Sequence, residues 1–151
     1  MHDVASPNQT LIIGLGSHHG ADCLGWLVAR AIRQLDSTLS VVETASPGDL
    51  LDWMPHARLI VCDACQGAGE PGSLHHWRWP DVDLPRLKSS GTHDLSLADV
   101  LRLGESLENL PNQVDLWGIE LPADTMTTDS KWLAQVASRA AAQIHAELND
   151  A

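Results

Sequence analysis

Apolar residues follow two rhythms along this chain. Leu11-Ile12-Ile13 is a short unbroken run, and Leu59-Ile60-Val61-Cys62 is a longer one that ends at Asp63. Runs of this length, flanked by polar or glycine-rich stretches, mark strands buried on both faces. Leu39–Glu43 reads as another strand, and Val114–Ile119 alternates apolar with other residues, as strands do. Between these runs the period lengthens. From Asp22 to about Asp36, Leu24, Leu27, Val28, Ala31 and Leu35 recur at helical spacing. Ser96 with Asp99 three positions on makes a capping box, an Asp standing where Glu or Gln is usual. It opens a helix carried by Leu97, Val100, Leu101 and Leu107. Thr128 or Asp129 is placed to cap a last helix whose inner face is Trp132, Val136, Ala140 and Ile144. Pro47–Met54 is a shorter helical stretch, with Leu50, Leu51 and Met54 on one side. Ser73–Trp79 reads as a weaker strand after the turn-rich run Gln66–Gly72, and Pro80–Gly91 as loop.

Strands alternating with helices predict an α/β fold. The expected form is a three-layer sandwich, phosphorylase/hydrolase-like, with a mostly parallel, twisted sheet flanked by helices on both faces. A length of 151 residues suits one compact domain. Residues 1–151 are therefore expected to form a single unit, flexible over about nine N-terminal and a few C-terminal residues. In such folds ligands sit beyond the carboxyl ends of the strands. That rule directs attention to the residue that follows each apolar run.

Three positions stand out there. Asp22 follows the first strand and opens the first helix. Its ordinary role is a helix cap, which local sequence favours over a ligand. Asp63 follows a buried run directly, so its carboxylate needs hydrogen bonds, a cation or water. An Asx-type turn is an equally good reading. His93, in Ser89–Asp94, is by itself an unremarkable loop histidine. Taken together, Asp22, Asp63 and His93 make an open three-ligand set for a divalent transition metal. Oxygen and nitrogen donors suit zinc, nickel or cadmium better than copper(I).

Other features carry less. Gly14, Gly16 and Gly20 space as G-x-G-x-x-x-G rather than the dinucleotide pattern G-x-G-x-x-G, and there is no P-loop Gly-Lys-Ser/Thr. An acid at the helix start opposes a pyrophosphate. Glu43 does end the second strand where a ribose-binding acid would stand, which keeps a nucleotide reading open. Cys62 and Cys65 form a lone CxxC, read as core rather than as a zinc or redox pair. His18-His19 and His75-His76 read as solvated loop or strand-edge pairs, with His19 close enough in sequence to assist Asp22.

Charge narrows the function classes. Twenty acidic against nine basic residues give a net charge of −11, which disfavours nucleic acid and anionic membranes as partners. No apolar run reaches membrane-spanning length and no signal-peptide pattern opens the chain. Three cysteines fit a reducing compartment, so a cytoplasmic location is expected.

The motifs, taken in order, resemble the maturation endopeptidases of nickel–iron hydrogenases. The family's opening motif is approximately G-x-G-N-x-x-x-x-D-D/E-x-x-G, often followed by tryptophan or valine. Gly14, Gly16, Asp22, Gly25 and Trp26 match it. The family's strand ending in D-A, with P-G beyond it, matches Val61–Ala64 and Pro71-Gly72. Its S-x-H, leucine-bearing helix, proline and G-I-E match Ser90 or Thr92 with His93, Leu97–Leu107, Pro111 and Gly118–Glu120. Two positions differ, with Ser17 in place of the Asn and Ala21 in place of the first acid, and the loop is one residue shorter.

The resemblance implies that Asp22, Asp63 and His93 are the metal-contacting and catalytic residues. Asp22 then turns from cap to ligand, with a capping role retained. It implies a nickel-dependent endopeptidase, a metal-dependent, aspartyl-type hydrolase. Such an enzyme removes the C-terminal extension of a [NiFe]-hydrogenase large-subunit precursor once nickel has been inserted. The nickel then arrives with the precursor, and the precursor is the partner. Two alternatives stay open: a maturation chaperone of the same fold that binds metal or precursor without cutting, and a small nucleotide-binding α/β protein.

Overall fold

A computed structural model describes residues 9–18, 20–53, 58–67, 69–80, 96–123 and 128–149. Strand β1 (Thr10–Leu15) leads through a 3-10 turn (Gly20–Cys23) into helix α1 (Leu24–Leu35). Strand β2 (Ser40–Thr44), a 3-10 segment (Pro47–Trp53) and strand β3 (Arg58–Cys65) follow. Strand β4 (Leu74–Arg78), helix α2 (Leu97–Ser106), strand β5 (Gln113–Glu120) and helix α3 (Ser130–Asn149) complete the order. The sheet runs β2-β1-β3-β5-β4; β4 is antiparallel to β5 and every other pairing is parallel.

The alternation of side chains along each strand separates two cores. Ile12, Ile60, Cys62, Trp117 and Ile119 point to one face, where they meet Leu24, Val28 and Ile32 of α1 and Val136, Ala140 and Ile144 of α3. Leu11, Ile13, Leu59, Val61, Val114 and Leu116 point to the other, under Leu50 of the 3-10 segment and Val100 and Leu101 of α2. Each fully buried leucine or isoleucine contributes roughly 2 kcal/mol. The expected three-layer α/β sandwich is what forms.

Several boundaries move. The capping box is present, with Asp99 N–H donating to Ser96 Oγ at 3.1 Å and Ser96 N–H to Asp99 Oδ2 at 3.3 Å. The helix stops at Ser106, however, and Leu107 beyond it is 55% exposed rather than on the inner face. Leu35, counted on the inner face of α1, is likewise exposed. At α3 it is Asp129 that accepts the Lys131 N–H, at 3.0 Å. β3 runs two residues past Asp63, so the strand outlasts the apolar run that ends there. The expected flexible N-terminus, Met54 and the Pro80–Gly91 loop beyond Pro80 lie outside the described residues.

A buried charge cluster holds the amino ends of β3 and β5. Asp115 has no exposed surface, and Arg58, His76, Arg78 and Gln113 surround it at 2.9, 2.9, 3.3 and 3.0 Å. Burial pushes its carboxyl up, but the hydrogen bonds from His76, Arg58 and Gln113 outweigh that and hold it below the usual carboxylate range. His76, expected to be a solvated edge residue, stacks on Trp117 with ring centroids 4.0 Å apart.

Helix α1 lies unusually close to the sheet. A Cβ on Gly25 would stand 1.9 Å from the Leu15 carbonyl oxygen and 2.6 Å from that of Cys62. A Cβ on Gly14 would stand 2.6 Å from the Gly25 oxygen. These contacts are backbone to backbone and have no rotamer to yield. Gly25→Ala should therefore lower unfolding stability by about 3 kcal/mol, at the upper end for overpacking, and the midpoint by roughly 10 °C. Gly48→Ala, whose nearest contact is Ser46 Oγ at 3.6 Å, should stay within about 0.5 kcal/mol. Urea and thermal unfolding followed by circular dichroism compare the two.

Candidate active site

The sheet order fixes where a ligand binds. β1 is flanked by β2 on one side and β3 on the other, so successive connections leave β1 in opposite directions. The crevice this opens lies beyond the carboxyl ends of β1 and β3. The 3-10 turn carrying Asp22 follows β1, and Asp63 is near the end of β3. The close seat of α1 on β1 and β3, through Gly14 and Gly25, sets Asp22 near enough for its charge to act on Asp63.

Both carboxylates are buried, Asp22 at 8% and Asp63 at 9% exposure. Burial drives the Asp63 carboxyl well above the ordinary range; the Ala64 N–H, 2.8 Å from Oδ1, lowers it, and the charge of Asp22 raises it again. Two like charges are thus held in one desolvated place. A cation between them would relieve both the desolvation and the repulsion, and two oxygen donors suit a divalent metal.

Asp22 is not the helix cap expected from local sequence. Cys23 occupies the N-cap position of α1, and no side chain caps it there. Asp22 Oδ2 instead accepts a hydrogen bond from Ser17 Oγ at 3.0 Å, while the Ser17 N–H donates to the Asp22 carbonyl at 3.1 Å. Ser17, a departure from the family motif, therefore still orients the Asp22 carboxylate. Gly16 permits this folding-back, since a Cβ there would stand 2.9 Å from the Asp22 oxygen and 3.1 Å from the Trp26 ring. Trp26 is fixed in turn by Nε1 donating to the Thr44 carbonyl at 2.9 Å. Ala21, where the motif has its first acid, is buried in the α1 core. His18 is exposed and meets the Trp26 ring edge-on. His93 and His19 lie outside the described residues.

The competing chemistries find little support. Glu43 is held by Arg30, with Nη2 2.8 Å from Oε1, and by Arg33 at 3.6 Å. Of the opening-loop glycines, Gly14 packs against α1, Gly16 against Asp22 and Trp26, and Gly20 takes a positive φ of 55°. Cys62 and Cys65 stand three apart on a strand and so face opposite sides of the sheet. Both thiols are pushed up to about 12, Cys62 by burial and the Asp63 charge, Cys65 by burial and Glu120. Neither is a poised redox nucleophile. A cleft of about 310 Å³ at the far end of the strands, lined by Arg58, His76, Arg78 and Glu147, opens beside the Asp115 cluster rather than the carboxylate pair.

The fold is an α/β sheet with two buried carboxylates at the carboxyl ends of β1 and β3. Comparison with known proteins is more specific. The family model described as Hydrogenase maturation protease (HycI) matches residues 41–145. The chain belongs to the hydrogenase maturation protease family, a family of endopeptidases, as its motifs led one to expect. No curated protein sequence matches it significantly.

Among solved structures, the hydrogenase maturating endopeptidase HybD from E. coli is similar at 24% identity. That match covers 94% of this chain and 93% of the other, with a TM-score of 0.73. The solution structure of an endopeptidase from Escherichia coli is similar at 22% identity, over 94% and 93% of the chains, with a TM-score of 0.75. The [NiFe] hydrogenase maturation protease HybD from Thermococcus kodakarensis is similar at 19% identity, over 93% and 98%, with a TM-score of 0.67. At these identities the likeness establishes the fold.

The strain at Asp63 has a measurable sign. Its folded-state pKa lies above the unfolded value of about 3.9, so the native state binds the proton more tightly. The contribution of Asp63 to stability is fully present below about pH 4 and is lost as pH rises through the folded pKa. Asp63→Asn removes this dependence. The variant should be more stable than the parent at neutral pH, with the gain vanishing near pH 4; urea titrations across that range test it.

Proposed function

We propose that this chain is the endopeptidase that removes the C-terminal extension of a [NiFe]-hydrogenase large-subunit precursor after nickel insertion. The observation that carries the reading is the pair of buried carboxylates, Asp22 and Asp63, at the switch point of a hydrogenase maturation protease fold. His93, at the matching motif position, supplies the third donor. Nickel is carried in by the precursor and belongs to the substrate.

Such a site suits a borrowed ion. Two desolvated carboxylates of like charge gain most when a cation enters, and with so few donors they hold a free ion loosely. Nickel already bound to the precursor brings its own ligands and completes the coordination. Docking then fixes the scissile peptide relative to Asp22 and Asp63. Hydrolysis adds water to the peptide carbonyl carbon, breaks the C–N bond and delivers a proton to the departing amine. One of the two carboxylates takes the proton from water as general base. Ser17 is a positioning residue, acting through its hydrogen bond to Asp22.

Three free cysteines support a reducing, cytoplasmic setting. Among the described residues no helix is long and apolar enough to cross a membrane. A second reading, a chaperone that binds the precursor without cutting, is favoured by one observation: Ala21 puts a buried methyl group where the family motif carries its first acid.

Incubating nickel-loaded precursor with the protein and following its mass separates these readings. Wild type should release the C-terminal peptide, and Asp22→Ala, Asp63→Ala and His93→Ala should each abolish release with unchanged circular dichroism. Binding without a shortened product would favour the chaperone; normal processing by all three variants would remove the assignment. Ser17→Ala should slow release by roughly 10-fold to 100-fold, and Ser17→Asn should restore much of it.

A further inference from the structure

The sheet carries another set of metal-type donors, on elements that the protease reading does not use. Cys65 ends β3 and lies directly across from Glu120, which ends β5. His75 on β4 is opposite Gly118, which has no side chain, so its ring leans along the sheet toward Glu120. Strand parity places all three side chains on one face: Glu120 lies two and four residues beyond Gly118 and Leu116, His75 two before Trp77, and Cys65 four after Val61.

Their ligand atoms all lie within 4.8 Å of one another. Cys65 Sγ is 3.6 Å and His75 Nε2 is 3.4 Å from the same oxygen, Glu120 Oε1. Ordinary zinc bond lengths and tetrahedral angles separate sulfur from oxygen by about 3.6 Å and nitrogen from oxygen by about 3.4 Å. Hydrogen bonding accounts for the cluster only in part: the Cys65 thiol donates to Glu120 Oε1, but His75 Nε2 is left out. Despite its proximity to Oε1, His75 Nε2 is shielded from solvent and makes no hydrogen bond among the described residues. A buried ring nitrogen left so is costly unless something else takes its lone pair.

The surroundings hold the donors in place. The Gly67 N–H donates to Glu120 Oε2 at 2.6 Å, leaving Oε1 to face the sulfur and the imidazole. The Glu120 main chain is pinned on both sides, its N–H donating to Ser73 O at 2.9 Å and its carbonyl accepting from Gly72 N–H at 2.8 Å. Gly69 lies over the His75 ring; a Cβ there would stand 3.0 Å from Cε1 and 3.3 Å from Nε2. Support of this kind, beyond the ligands themselves, sets metal affinity.

We propose that Cys65, His75 and Glu120 form a second metal site, for a zinc-type divalent cation, separate from the Asp22–Asp63 pair. The donor set of thiolate, imidazole and carboxylate selects zinc, cobalt or nickel over magnesium or calcium. On binding, the cation replaces the thiol proton of Cys65, which passes to solvent, and water takes the fourth position. The ion ties the carboxyl ends of β3 and β5 to the antiparallel edge strand β4, and so braces the rim on which Asp63 lies. The site stands whether or not the chain cuts a precursor.

Cobalt(II) is the probe, because a thiolate ligand gives a sulfur-to-cobalt charge-transfer band that Asp22, Asp63 and His93 cannot produce. Titrating the full chain with cobalt should develop this band to one equivalent and raise the thermal midpoint. Cys65→Ser should abolish the band. His75→Ala and Glu120→Gln should each weaken cobalt binding at least 10-fold, and Cys23→Ser and Asp63→Asn should leave the band in place. A wild-type protein with no band at saturating cobalt overturns the proposal, as does a band that survives Cys65→Ser. So does a band unaffected by His75→Ala, the variant whose part-exposed edge position least threatens folding.

Discussion

Everything in this molecule's proposed chemistry depends on two carboxylates set near one another and largely shielded from bulk water. Asp22 and Asp63 are each more than nine-tenths buried, and the charge of one raises the proton affinity of the other. Burial disfavours charge at such a pair, and the hydrogen bonds from Ser17 to Asp22 and from the Ala64 N–H to Asp63 offset part of that cost. The arrangement makes physical sense as a receptor for positive charge, with the protein's own stability supplying the strain that a cation relieves.

That pair exists because a helix can touch a sheet. Gly14 and Gly25 let α1 rest backbone-to-backbone on β1 and β3, and the 3-10 turn before α1 then hangs over the end of β3. Ser17 and Gly16 fold the intervening loop back onto Asp22. The glycines that suggest a phosphate cradle are thus spent on packing, and the crevice at the β1/β3 switch point is lined with acid. At the opposite end of the strands, charge is handled differently: Asp115 is as buried as any residue here, but two arginines and a histidine neutralise it. At one end of the sheet the buried carboxylate is met by cationic side chains; at the other, Asp22 and Asp63 are met by a hydroxyl and a backbone N–H.

Much of this was legible before any coordinates. The apolar runs at Leu11–Ile13 and Leu59–Cys62 and the helical spacing after Asp22 predicted the parallel α/β sheet, because burial on both faces leaves a pattern that local exceptions do not erase. The placement of Asp22 and Asp63 at the carboxyl ends of β1 and β3 was legible in the sequence. The role of Asp22 was not: capping depends on the backbone geometry of the preceding turn, and that turn made Cys23 the N-cap. Leu35 and Leu107 were misjudged because helical periodicity gives a face but not its extent, and both fall at or past the last turn of their helices. The Cys65–His75–Glu120 cluster was invisible for a similar reason. Its members come from three separate strands, one of them antiparallel, and only the register brings them onto a common face. The CxxC spacing even pointed away from it, pairing Cys65 with a cysteine on the other side of the sheet.

The central claim is that Asp22 and Asp63 share one cation. The most direct measurement is anomalous diffraction from crystals of the intact chain soaked in nickel or cadmium. The account predicts an anomalous peak within coordination distance of a carboxylate oxygen from each residue, lost in Asp63→Asn. Metal peaks confined to other parts of the molecule, with the two carboxylates left unbridged at saturating ion, would contradict it.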